Sequence, residues 1–499
     1  MNETGENKRP KGAEFGEFLF GLASTVKQKL APLADNPHLK GELYSLATTL
    51  KLLANEFGKL SKSTREDRIA IQSALKRLAD LGIDVDQAVD SNLSDDELRG
   101  ALADATRSLR EQNATQACAV INEYVAGDLS RGYNGLMGID LEGTPSGRSP
   151  SVSSDTGPVR TIHDEENKAK LETYLRREFN DEKLTIESVN QTTEGFAAET
   201  AICNLACKDE RKRRVVARVQ WPELLLSAIP QPIFNQAGIM KIARDEGLPI
   251  PEVFAVEENE DIIGAKFIVS EYVKGYVPTA WSPEGRKFMT NLRKTGWALF
   301  IDHLVTFHGI KWEDSSLSDM LSGDIISNLH SRLNHFEKLY RAAEPRPDPL
   351  IEQTLNWLFE NIGQWGDTVL IHGDYRPGNV IYAEDLSVKA IIDFDAAKVS
   401  DVHEELGQCT MWAYQDADGR AVGMLEPDRF LEEYAARSGR TIDPAGIHYY
   451  LILTTFQHYL AFVTLARGWL DHGGDVRMAR LLFTLGQDRL ELGRFLKII

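Results

Sequence analysis

Leu39, Leu43, Leu46, Leu50, Leu53, Phe57 and Leu60 recur at steps that alternate between four and three. That spacing draws one apolar stripe along a helix. The helical pattern runs from Glu14 to about Gly132. Two stretches, STRE at 63–66 and SDDE at 94–97, have the spacing of capping boxes that open further helices. Gly82 is placed to end the helix before Ile83. Four or five helices packed as a bundle account for residues 1–130 as an all-α accessory domain. A stripe of this length also suits a coiled-coil dimer, so the segment is the candidate surface for a homodimer.

The texture then changes twice. Residues 131–160, SRGYNGLMGIDLEGTPSGRSPSVSSDTGPV, are rich in Gly, Ser and Pro and read as a flexible linker. Beyond it, strands are predicted at Leu184–Val189, Ala201–Ala206, Arg214–Val219, Glu252–Glu257 and Phe267–Tyr272, with a turn at Thr192–Gly195. A helix is predicted near Ile233–Glu246, ended by GLPIP. From about Pro283 helices dominate, interrupted by short strands at 369–395. A sheet-rich part at 161–275 and a larger helical part at 276–499 predict an α+β fold of two lobes with a cleft.

Composition narrows the function class. The 499 residues carry a formal net charge of −19, which opposes general affinity for nucleic acid or anionic membranes. No apolar run is long enough for a spanning helix. The N-terminus lacks the apolar core of a signal peptide, so a cytoplasmic protein is the simplest expectation. Cys118, Cys203, Cys207 and Cys409 are scattered. No second pair or nearby His completes a zinc site, so they read as small apolar residues.

The chemistry-bearing stretch is IHGDYRPGN at 371–379, followed by AIIDFDAAK at 390–398. TVLI at 368–371 reads as a buried strand and NVIY at 379–382 as its return. KAIID is a third strand ending at Asp393. Asp374, Asn379 and Asp393 are thereby expected to converge at one rim of a small ribbon. Such a rim suits phosphoryl transfer. One Asp can orient a hydroxyl and take its proton, while a carboxylate and an amide oxygen can hold Mg²⁺.

HGDYRPGN followed by IDFD resembles the signature of the aminoglycoside phosphotransferase and choline kinase-like superfamily, itself similar to protein kinases. The resemblance covers roughly 160–499. It implies a bilobal protein-kinase-like fold that binds ATP and Mg²⁺ and phosphorylates a hydroxyl of a small molecule. On it, Asp374 is the catalytic base, Asn379 and Asp393 hold the metal, and Arg376 meets the transferred phosphate. His372 supports the loop without acid or base duty. AKFIVSEYVKG at 265–275 resembles the segment joining the lobes, where Glu271 and Val273 present backbone groups to adenine. Phe307 and His308 resemble a structural pair at a helix end. DVHEELG at 401–407 resembles the family's second acidic segment, with Glu405 as its second acid. GLPIPEVFA at 247–255 is closest in texture to phosphotransferases fused to acyl-CoA dehydrogenases.

The pattern departs from the family in two places. The cation expected on the third strand is Arg218, and the usual Glu on the next helix is replaced near Gln236. The nucleotide loop TTEGFAAET carries a single glycine, Gly195. Both departures leave a second reading open: a catalytically weak or inactive kinase-like ligand sensor, or a scaffold acting through its helical N-terminal domain. Trp412, Tyr414 and Trp469 read as core aromatics rather than as an acceptor pocket. Asp395 reads as a helix cap or solvated acid, and Asp416, Asp418, Asp471 and Asp475 as solvated loop charges.

Overall fold

The computed structural model describes residues 19, 21–33, 43, 46–47, 50–51, 67–85, 93–111, 115–130, 161–191, 198–208, 212–221, 233–278, 283–313, 315, 318, 324–343, 347–472 and 484–499. Most of the stripe at Leu39–Leu60, the STRE box, the 131–160 segment, Gly195 and its turn, and the side chains of Trp469, Asp471 and Asp475 lie outside the described residues. Two compact units divide the chain. The first is Met1–Val152 with Leu333–Asn361 and Thr455–Ile499, and the second is Ser153–Arg332 with Ile362–Thr454.

The first unit is helical. Residues 67–80, Asp95–Ser108, Thr115–Ser130, Pro349–Glu360 and Thr484–Phe495 are among its described helices. Ser94 and Glu97 make the predicted capping box: each side chain accepts from the other's backbone N–H. Gly82, at φ +81°, ends the helix before it, and Ile83 donates back to Leu78. A buried ion network crosses the unit. The Arg489 guanidinium donates to Asp348 and Asp128, each at 2.6 Å, and Arg99 pairs with Asp67. The N-terminal helices therefore share one interior with the C-terminal helix.

The second unit holds a five-stranded antiparallel sheet of order β1-β2-β3-β5-β4. Its strands are β1 (Thr185–Gln191), β2 (Glu199–Ala206), β3 (Lys212–Gln220), β4 (Val253–Glu257) and β5 (Lys266–Glu271). Each lies within about two residues of its expected position. Alternation explains why they form: Ala201, Cys203 and Leu205 on β2 and Val215, Ala217 and Val219 on β3 all point to one apolar face. That face packs on Leu171, Tyr174 and Leu175 of the helix Glu165–Glu178. Cys203 and Cys409 are buried, and Cys118 and Cys207 half-buried.

Four short strands follow: β6 (Thr368–Ile371), β7 (Val380–Tyr382), β8 (Val388–Ile391) and β9 (Lys398–Asp401). Here the expected ribbon is corrected. β7 pairs with β8 as a hairpin, but β6 pairs with β9. Two ribbons, rather than one, carry the motif, because Pro377 and Gly378 close a 3-10 turn that sends the chain onward instead of back along β6. Helices Pro283–Thr295, Trp297–His308, Val402–Thr410 and Pro427–Ser438 surround them. Val369, Leu370, Phe300, Leu304, Leu406 and Phe430 lie in their common core. A sheet-rich part followed by a helical part with ribbons gives the kinase-like α+β fold. Among the described residues no helix is long and apolar enough to cross a membrane.

Candidate active site

The loop after β6 is fixed from several sides. Gly373 has φ +77°, and a Cβ there would stand 2.3 Å from the Ala396 carbonyl oxygen, so only glycine fits. Glu405, on the helix Val402–Thr410, accepts from the backbone N–H of both His372 and Gly373. Burial raises the Glu405 carboxyl, but the His308 side chain and these donors outweigh it and hold it below the usual range. His308 lies 3.6 Å from Glu405 and hydrogen-bonds the Tyr434 hydroxyl at 2.7 Å, the structural place expected of it. Asp401, the first acid of the same segment, caps that helix through His403 N–H. The Tyr375 hydroxyl donates to the Phe300 carbonyl at 2.8 Å.

His372 joins the two halves of the motif. Its Nδ1 accepts from Asp374 N–H at 3.3 Å, and its Nε2 meets the Ile392 carbonyl at 3.0 Å. Ile392 N–H donates in turn to the Asn379 carbonyl at 3.0 Å. Asp393, next in sequence, sits at φ +72°, an uncommon conformation outside glycine that aspartate tolerates better than most side chains. The two hydrogen bonds at Ile392 fix the backbone that leads into it.

Asp374 and Asn379 are in direct contact. Asn379 Nδ2 donates to the Asp374 carboxylate at 2.6 Å and to its carbonyl at 2.9 Å. Arg376 Nε donates to Asp374 Oδ1 at 3.0 Å. Tyr414, expected in the core, instead donates its hydroxyl to the same Oδ1. No periodicity marks Tyr414 as a site residue; it follows the DVHEELG helix through a short turn, Trp412–Tyr414.

Arg218 reaches the site from β3. It donates to Asp393 Oδ1 at 2.8 Å and to both oxygens of Asp395, one of them at 3.0 Å. Asp395 is therefore neither a helix cap nor a solvated acid: it is buried against a guanidinium. Burial raises both carboxyls and Arg218 pulls both down. His372 and Arg376 add to the pull on Asp393, which lies below the aspartate range, whereas Asp393 itself pushes Asp395 above it.

The donor set suits a hard cation. No described residue donates to the Asn379 amide oxygen or to Asp393 Oδ2. Among the described residues no group of three or more His, Cys, Asp or Glu could hold a metal. One carboxylate oxygen and one amide oxygen are the kind of donors that Mg²⁺ accepts when phosphates and water complete its shell.

Glu271 and Val273 line a cavity of about 580 Å³ together with Arg244, Gly247–Ile250 and Lys389; Arg218, Asp374, Asn379 and Asp393 do not line it. Glu271 N–H donates to the Glu252 carbonyl at 2.8 Å, and among the described residues nothing accepts from Val273 N–H. Gly275 follows, where a Cβ would press on Ile381 and the Tyr382 carbonyl. This close approach lets Tyr276 and Tyr382 exchange backbone hydrogen bonds at 2.9 Å. Asp418 is exposed, as expected of a loop charge, and Asp416 is half-buried; Arg293 and Arg420 pair with Asp416, and Arg420 with Asp418.

Residues 206–449 match the model of the Phosphotransferase enzyme family. The mouse protein Acyl-CoA dehydrogenase family member 10 is 25% identical over 220 residues, which is 42% of this chain and 20% of the relative. Probable acyl-CoA dehydrogenase IBR3 of Arabidopsis thaliana is 23% identical over 312 residues, 56% of this chain and 36% of the relative. The chain thus spans well under half the length of these curated relatives, whose names accord with the texture of Gly247–Ala255. Similar solved structures include macrolide 2′-phosphotransferase type I, with 16% identity, a TM-score of 0.42, and coverage of 66% of this chain and 99% of that one. The gentamicin complex of APH(2″)-IIa has 16% identity and a TM-score of 0.40, covering 65% and 95%.

Proposed function

We propose that the protein transfers the γ-phosphate of ATP to a hydroxyl of a small molecule, with Asp374 as general base. The observation that carries this reading is the contact of Asn379 with the Asp374 carboxylate, on a loop bonded through His372 and Ile392 to Asp393. Asp374 accepts the acceptor's hydroxyl proton. The acceptor oxygen bonds to the γ-phosphorus as the bond to the β,γ-bridging oxygen breaks, and ADP leaves with that electron pair. Asn379 and Asp393 would hold Mg²⁺, which supplies positive charge against the phosphates. Arg376 and Arg218 provide further cations, and the backbone of Glu271 and Val273 meets the adenine. Since Asp416 and Asp418 are already paired with arginines, the rim they form offers little to a polycation. The names of the curated relatives make hydroxyacyl thioesters one class of alcohol to include.

The test is a screen of aminoglycosides, choline-like alcohols, sugars, homoserine and hydroxyacyl thioesters with labelled ATP, using Asp374→Ala as the control. Transfer that Asp374→Ala abolishes supports the reading; transfer that survives it removes Asp374 from the role.

A further inference from the structure

The Asp374 carboxylate has four in-plane acceptor positions, two on each oxygen. Oδ1 receives Arg376 Nε and the Tyr414 hydroxyl, which fills both of its positions. Oδ2 receives Asn379 Nδ2 alone, at 2.6 Å. The Tyr414 oxygen is itself held, accepting from Gln408 Nε2 at 3.1 Å. Gln408 stands on the same helix as Glu405, so one helix supports both the backbone of the loop and, through Tyr414, its carboxylate. Burial, and then the neighbouring Asp374 charge, push the Tyr414 phenol well above its ordinary pKa. It remains a donor at any working pH.

We propose that Tyr414, backed by Gln408, is a positioning residue that occupies Asp374 Oδ1 and so directs the acceptor hydroxyl to Oδ2. This rests on the phosphotransfer reading above and adds the face from which the acceptor is deprotonated. The hydroxyl proton passes to the open position of Oδ2, beside Asn379. Without the phenol, Oδ1 keeps only Arg376 and regains an open acceptor position, so the acceptor hydroxyl can meet either oxygen. A misaimed base lowers the rate of transfer more than it lowers binding.

The test compares the intact protein with Tyr414→Phe, Gln408→Leu and the double variant. Transfer from MgATP is followed with water as acceptor and with any alcohol the screen yields. Tyr414→Phe keeps the ring and is expected to lower kcat about 10- to 100-fold, with acceptor KM and ATP affinity within about twofold. Gln408→Leu is expected to lower kcat less, and the double variant no more than Tyr414→Phe alone, since Gln408 acts through the lost hydroxyl. An unchanged kcat, a raised KM at constant kcat, or additive losses would each overturn the assignment. A second measurement needs no turnover. In protein labelled with ¹³C at tyrosine Cζ, the resonance missing from Tyr414→Phe must shift in Asp374→Asn; an unmoved resonance would overturn it too. Failure of the intact protein to bind MgATP would instead remove the phosphotransfer reading itself.

Discussion

Arg218 and Asp393 are joined by a 2.8 Å hydrogen bond, and the same guanidinium also holds Asp395. One β3 cation thus serves two carboxylates of the IDFD motif. Arg218→Met strands both in a mostly buried setting. We expect a loss of roughly 2–4 kcal/mol, toward the low end of what breaking a buried pair costs because the arginine is partly exposed. Urea unfolding reads this directly. Arg218→Lys, which keeps the charge without the fork, is expected to fall between the two.

Acid stability follows from the lowered carboxyls. Asp393 and Glu405 lie below their ordinary values in the folded protein. A depressed carboxyl contributes stability that is fully present above its unfolded pKa, about 4. That stability is lost as pH falls through the lower folded value. The urea midpoint should therefore decline below about pH 4. Glu405→Gln should show a shallower decline than the parent, and equal slopes would remove Glu405 from the account.

The loop itself is tested at two residues. Glu405→Ala leaves the backbone N–H groups of His372 and Gly373 unsatisfied, at about 1–3 kcal/mol each. Gly373→Ala must relieve its clash with the Ala396 carbonyl. Both variants should lose transfer activity along with stability, seen as a lower Tm and kcat.

Much of this site is legible in the sequence because it is local. HGDYRPGN contains its own turn, and the apolar runs on either side fix the strands. The strands of the main sheet are equally local, announced by alternation. What the sequence hides is long-range. The β6–β9 pairing joins segments about thirty residues apart, and no periodicity chooses between β7 and β9 as partner. Tyr414 looks like one more core aromatic until the helix Val402–Thr410 places it on Asp374. Asp395 looks solvated until β3 delivers Arg218.

In the first unit, Arg489 ties the C-terminal helix to Asp128 and Asp348. Arg489→Met leaves those buried aspartates short of a cation and should cost about 3–5 kcal/mol. Thermal unfolding of the full chain checks it. A change under about 1 kcal/mol would mean that the network is weakly coupled to folding.

The central claim is that Asn379 and Asp393 hold the metal that accompanies the nucleotide. Calorimetric titration of ATP into the intact protein and into Asp393→Ala, each with and without Mg²⁺, tests it most directly. The account predicts binding that strengthens with Mg²⁺ in the intact protein and loses that dependence in Asp393→Ala. Binding indifferent to Mg²⁺, or equal in both proteins, would contradict it.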